Sequence, residues 1–380
     1  MTVGWVAEPN CGRGTISIIV DCFATMLFSA WTVLHLDVQH SRLRFKIILS
    51  ILFLMFPEVG AVFALDDLFR ARDIRTRMRQ HWVGWTLKQS FAIRMGAVHG
   101  TFIEAQAVNE EDIKVKEGWV TWLWKIAGLL VSAQSRPRPG GDMTLSDYDF
   151  KENADVLHIL LPSNLPIFRK EMPTNKSIDK RSRSDWFVKS LALLQALGFL
   201  VRNIISRLAA KLPLSLLEIA TMGNLLCAII AYLAWMEKPQ SLEDPFKLVL
   251  PRSEIRKMKE VTGRDYGRLY YIGLFSLGFL LATAVVALNL GFSWHTYFPS
   301  HVEVWLWRSA NFICVLCAVI MLLMVLKPNQ TAVIYVIAFP YVIVRLIIIS
   351  QCFAILRASS PDIYEKPSWN WLNYWPHFGT

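Results

Sequence analysis

The stretch AVIYVIAFPYVIVRLIIISQCFAIL, residues 332–356, decides the fold. A helix rises about 1.5 Å per residue, so this run is long enough to cross a hydrocarbon core of about 30 Å. Arg345 stands near its middle. A guanidinium keeps its charge at that depth and must have a partner or a wet cavity. Other apolar runs hold Asp21, Glu58, Glu218 and Arg308. A chain that needed only an anchor would avoid such residues, so the pattern points to an internal polar site within a membrane-embedded bundle.

Composition agrees. The 380 residues are 54% hydrophobic and 18% charged, with a mean hydropathy of +0.35. A soluble domain carries about a quarter charged residues. The 15 Trp and 22 Phe suit membrane interfaces and apolar cavities. The formal net charge is +10. Its basic residues cluster beside apolar runs, where headgroups and cytoplasmic-face placement account for them, so the partners read here are membrane lipids and not nucleic acid. No cleavable signal peptide is evident. Glu8 and Arg13 precede the first apolar run, which reads as a signal anchor, and the expected compartment is the endoplasmic reticulum membrane. The six Cys are scattered; Cys314 and Cys317 fall within an apolar helix as small packing residues.

The expected fold class is all-α: a polytopic membrane helical bundle of six to seven transmembrane helices, with a large interfacial or soluble insertion after the second. Spans are read at 15–36, 45–65 (interrupted by Pro57), 212–235, 269–290, 302–326 and 331–356. The polar insertion opens with Arg70, Arg72, Arg75, Arg77 and Arg79 at helical spacing. It also contains Trp82, Trp85, Trp119, Trp122 and Trp124, so parts should lie on the bilayer surface, and loops are read at 135–142 and 162–184. Segment 186–210 fits either a tilted span or an interfacial helix. The tail 359–380, with Trp369, Trp371 and Trp375, reads as an aromatic interface anchor. Three sections follow: 1–69 with the first two spans, 70–185 as the insertion, and 186–380 with the remaining spans and tail.

Residues 291–301 lack Lys and Arg, which places them in the lumen and 237–268 in the cytosol. With seven spans the insertion is cytosolic, and the short connection bearing Arg42, Arg44 and Lys46 is luminal. With six the two exchange sides. Each arrangement satisfies the positive-inside rule once and violates it once; pairing of buried charges favours six.

On the first run Asp21, Thr25, Phe28, Thr32 and His35 share one helical face. This stripe either packs through internal hydrogen bonds or lines a cavity. Glu58 follows Pro57, which bends a helix, and is either a paired carboxylate holding helices together or a proton donor. Glu218 opens its span close to the interface; Thr221, Asn224, Ala228 and Ala231 on that helix read as close packing. Arg308 and Asn311 share a face, as do Tyr341 and Arg345. The two arginines lie at similar depth and need anions, supplied by Glu218, Asp21 and Glu58 or by an oxygen of a substrate. Candidate catalytic residues are therefore His35, Glu58, Tyr341 and Arg345. Candidate substrate-binding residues are Asp21, Thr25, Thr32, Glu218, Arg308, Asn311 and Trp235. No metal spacing stands out among the dispersed His residues, and G-x-S-x-G, H-E-x-x-H, P-loop and dinucleotide fingerprints are missing, so no cofactor is expected.

Several strings resemble a large family of fungal multi-pass membrane proteins: Trp5-x-x-x-Pro9-Asn10-x-x-Arg13-Gly14-Thr15, Trp31-Thr32-x-x-His35-Leu36, Pro57-Glu58, Leu212-Pro213-Leu214 to Glu218, and Trp235-x-x-Lys238-Pro239. One residue more separates Asn10 from Arg13 than in typical members, and Asp37 stands where Asn is usual. Residues 131–185 have no counterpart in the resemblance. Most members have no assigned activity, some look like products of secondary-metabolite clusters, and the Diels–Alder norbornene synthase of the sordarin pathway is similar to them. The resemblance implies a cofactor-independent cyclase or isomerase of pericyclase type acting on a lipophilic, terpenoid-like metabolite. Such catalysis needs an apolar pocket that aligns the reacting carbons, plus a donor to a conjugated carbonyl, for which Arg345, Arg308, Tyr341 and His35 are candidates. The alternatives are a non-catalytic scaffold for other membrane-bound biosynthetic enzymes and a small-metabolite transporter.

Overall fold

The computed structural model describes residues 3–7, 12–35, 43–95, 97–102, 143–144, 172–182, 186–240, 242, 246–250, 268–325 and 331–366. The tryptophans read at 119, 122 and 124, the loop at 135–142 and the Trp-rich end of the tail lie outside the described residues.

The chain is a polytopic membrane helical bundle. Among the described residues, six helices are long and apolar enough to cross a membrane: Thr15–Val33, Ser190–Ala209, Leu216–Ala234, Leu269–Ser293, His301–Leu323 and Phe339–Arg357. We number the helices α1 (Thr15–Val33), α2 (Leu43–Met55), α3 (Pro57–His81), α4 (Leu87–Arg94), α5 (Asn175–Arg181) and α6 (Trp186–Phe199). Helix α6 continues through a π turn at Leu200–Ile205 and a last turn at Ser206–Ala209. Then follow α7 (Leu216–Ala234), α8 (Arg268–Ser293), α9 (His301–Val325) and α10 (Thr331–Ala354).

Segment 186–210, which fits two readings in the sequence, holds a helix of spanning length, Ser190–Ala209. Residues 45–65 are interrupted at Pro57, as expected, but sharply: α2 and α3 meet at Phe56 and Pro57 with a bend of 116°. Proline has no N–H and disfavours helix in the residue before it, so α2 stops and α3 begins with Pro57 in its first turn. Helix α3 then runs unbroken through the 69/70 division and carries the arginine series on its outer half.

Contacts fix where this pair sits. Parallel helices α1 and α7 begin together where Arg13 meets Glu218, and finish together where the His35 and Trp235 rings lie 5.9 Å apart. At that second end Lys46 of α2 lies over Trp31, 4.5 Å from its centroid. On α3, Asp67 accepts from Lys238 at 2.7 Å and from Trp235 at 3.2 Å, and Asp66 accepts from Tyr270 of α8 at 2.6 Å. Both arms of the pair therefore reach the Trp235 end. Its apex does not go through to the other end: Asn224, midway along α7, donates to the carbonyl of Leu54 at 3.0 Å. Glu58 meets Tyr341 and Arg345, midway along α10. The pair folds back as a hairpin whose apex lies level with the middle of α7 and α10. Gly60 makes the fold-back possible, because a Cβ there would run into the Phe53 ring.

A small sheet lies at the Trp235 end, where the sequence reading has no strands. Strand β1 (Val98–Phe102) pairs in parallel with β3 (Phe246–Leu250) and antiparallel with β2 (Met143–Thr144). Ala92, Ala97, Ile178, Leu242 and Phe246 form its core. Part of the loop read at 162–184 is helix α5, capped by Thr174, whose hydroxyl accepts from the Ser177 amide.

Candidate functional site

The ionisable groups do not converge on one chamber. They form separate buried nodes, and the sequence-derived residues divide among them.

The central node joins the hairpin apex to α10. Glu58 is 3% exposed and Arg345 6%. Arg345 Nη2 and the Tyr341 hydroxyl both donate to Glu58 Oε1. Arg345 also reaches the Tyr341 oxygen, from Nε at 3.4 Å and Nη2 at 3.2 Å. Its Nη1 takes no part in these bonds. Phe56 stacks on Tyr341 with centroids 5.7 Å apart. The site sits beside two prolines: Pro57 starts α3, and Pro340 lies inside α10 one residue before Tyr341. Glu58 lies in the first turn of α3, where the helix dipole favours a carboxylate. Three of the four candidate catalytic residues thus meet here; His35 does not.

A second node closes the opposite end. Glu218 is fully buried and forms a capping box with Ser215 at the start of α7. Its Oε1 takes the Arg13 guanidinium, and Arg13 Nη2 reaches Oε2 at 3.1 Å. Burial opposes the Arg13 charge, but Glu218 outweighs it and holds the Arg13 pKa above the ordinary arginine value. Arg207, 1% exposed, is held by backbone carbonyls: Glu365 at 2.7 Å, Pro213 at 2.8 Å and Asp362 at 3.0 Å. This cluster ties the N-terminal segment and the tail to α6 and α7, and it accounts for Glu218 without a ligand.

The remaining candidates are dispersed. Asp21 pairs with Arg202, in the π turn of α6, at 3.1 Å. Thr25 and Thr32 are buried, and Thr32 donates back to the Phe28 carbonyl at 2.8 Å. The polar stripe of α1 thus packs through local bonds and one ion pair. Phe28 is 37% exposed and leaves that buried face. His35 and Trp235 belong to the Asp67 end. Asn311 accepts from Asn289 at 3.2 Å, across α8 and α9. Arg308 meets no carboxylate among the described residues; it lies over the Trp294 ring, 4.1 Å from its centroid, and donates to the Trp294 carbonyl at 3.3 Å. Among the described residues no group of three His, Cys, Asp or Glu side chains could hold a metal ion.

Sequence reasoning missed Arg13 and Arg202 as the true partners of Glu218 and Asp21. It also assigned Asn224 to packing alone. An amide at the midpoint of an apolar run was the available signal, since such a group needs partners inside the bundle. A family of unknown function, DUF8562, matches residues 164–258, a stretch that includes Arg202, Glu218, Asn224 and Lys238. No curated protein and no solved structure matches the chain.

Proposed function

We propose that the protein is a cofactor-independent, membrane-embedded cyclase or isomerase acting on a lipophilic, terpenoid-like metabolite at the Glu58–Tyr341–Arg345 node. The observation that carries this reading is a permanent cation at half depth whose Nη1 edge is outside its own ion pair. A substrate carbonyl accepting from that edge would have electron density drawn from a conjugated alkene. Oriented donors in a dry site act strongly because little solvent competes with them. The fixed apex would hold the chain folded, and orientation alone supplies up to about 7–11 kcal/mol. In an intramolecular [4+2] closure two σ bonds form as two π bonds are consumed, so atoms and electrons balance without an oxidant or a proton donor.

Cyclisation leaves mass unchanged, so the test follows chromatographic retention and the loss of diene absorbance. Protein in phosphatidylcholine nanodiscs would be given a lipophilic triene carrying a carbonyl-conjugated alkene. The reading expects closure above the spontaneous rate, abolished in a Glu58→Gln/Arg345→Met double variant. Closure at the spontaneous rate, or undiminished in that variant, overturns it.

A second reading, transport, is favoured by one observation. A helical break that turns at half depth, as between α2 and α3, is a device with which carriers build midplane sites. Flux of an unmodified solute in sealed vesicles would select it. On either reading the Trp235 end faces the cytosol. The hairpin arms bring Arg44, Lys46 and the Arg70–Arg79 series to that end, whereas the 294–300 connection opposite has no Lys or Arg.

A further inference from the structure

The hairpin apex presents two buried acceptor oxygens that no donor reaches among the described residues: Glu58 Oε2 and Asn224 Oδ1. Both side chains are 3% exposed. Their other polar atoms are fixed. Glu58 Oε1 is taken by Tyr341 and Arg345, and Asn224 Nδ2 is committed to the Leu54 carbonyl at 3.0 Å. Leu54 ends α2 and Glu58 begins α3, so the two acceptors flank one turn of chain. Cys227, one turn along α7 from Asn224, packs with Ala61 of α3, which places that face of α7 against the first turns of the hairpin's second arm.

An unpaired buried acceptor is expensive, and two that flank one turn of chain call for a donor. The charge of the node selects which kind. Glu58 and Arg345 already neutralise each other, and Tyr341, which bonds to both, is a phenol that carries no charge in its usual form. A metal cation or an ammonium would leave a net charge at half depth, at high cost. A neutral O–H would satisfy an acceptor and add no charge.

We propose that the apex is a binding subsite for a hydroxyl group, and that the ligand class of this protein is a lipophilic alcohol. The proposal rests on the reading above that the node takes a lipophilic ligand. The hydroxyl donates to Glu58 Oε2 or Asn224 Oδ1, while its own oxygen, or a neighbouring carbonyl, lies toward Arg345 Nη1. An ether of the same shape lacks the proton and leaves both acceptors unpaired.

The experiment uses full-length protein in phosphatidylcholine nanodiscs and a diazirine-bearing long-chain alcohol as the photolabel. Labelled peptides are mapped by mass spectrometry, with 1-dodecanol and dodecyl methyl ether as competitors. The expected result is labelling around the apex and the facing turns of α7 and α10, with the alcohol competing roughly tenfold better than the ether, the scale of one buried hydrogen bond. In Asn224→Leu that ratio should fall toward one. Glu58→Gln supplies its own N–H donor and should lower it as well, so the conclusion does not hang on one variant folding. Equal competition by alcohol and ether in the wild type overturns the proposal, as does a ratio unchanged in both variants. Triene closure or solute flux is read separately. Either could succeed while alcohol and ether compete equally, which would sink the hydroxyl subsite and leave the broader function standing.

Discussion

Replacing Arg345 with Met should damage the protein more than replacing Arg345 and Glu58 together. In the single variant Glu58 stays 3% exposed at half depth. It loses its counter-ion and keeps the Tyr341 hydroxyl as its described donor. Breaking one side of a buried pair costs about 3–5 kcal/mol, because a charge is stranded out of water. In Glu58→Gln/Arg345→Met no charge remains, Tyr341 can still donate to the Gln oxygen, and the thioether fills much of the guanidinium's volume. Swapping a buried pair for neutral groups is often close to neutral, so most of the loss, roughly 2–4 kcal/mol, should return. Unfolding of purified protein by SDS titration in mixed micelles, followed by tryptophan fluorescence and circular dichroism, measures both variants. A single-variant cost below about 1 kcal/mol, or a double variant as unstable as the single, would refute a desolvated pair at the apex. The comparison also separates architecture from activity: the double variant should fold and yet neither cyclise nor bind.

Three further outcomes follow from the geometry. Gly60→Ala pushes a methyl into the Phe53 ring and should destabilise the hairpin by about 1–3 kcal/mol in the same titration; a paired Phe53→Leu should relieve part of that. Arg13→Met strands Glu218 in a fully buried capping box, and a loss of about 3–5 kcal/mol is expected, with protease sensitivity rising at both chain termini. Arg308→Ala removes a guanidinium that stacks on Trp294 and meets no carboxylate among the described residues, so stability should change by less than about 1 kcal/mol and triene closure not at all.

The bundle was legible in the sequence because each lipid-length apolar run is a local signal. The pairing inside it was only half legible. That Arg345 needs a buried anion follows from cost, but not which of Glu218, Asp21 and Glu58 supplies it. Asp21 with Arg202 and Glu218 with Arg13 did not follow, because they depend on which helices are neighbours. Segment 45–65 was legible as a run interrupted at Pro57, but not the sharpness of its fold-back. Composition alone cannot separate a bent span from a hairpin that returns, as both bury the same apolar residues. The charge pattern held the clue: each two-sided topology broke the positive-inside rule once, and the conflict disappears when Arg44, Lys46 and the arginines of α3 share one side. The sheet joining β1 to β3 was beyond reach because it pairs segments more than a hundred residues apart in the chain.

The most direct test asks whether α2 and α3 cross the membrane or return. Single cysteines would replace Leu43, 63% exposed before the hairpin, Val83, 84% exposed after it, and Tyr297, 52% exposed in the 294–300 connection. Native cysteines would be removed and sealed, oriented vesicles treated with a membrane-impermeant maleimide. Positions 43 and 83 should label from one face and 297 from the other. Labelling of 43 and 83 from opposite faces would mean that 45–65 crosses the bilayer, and the half-depth Glu58–Arg345 site would not exist as described.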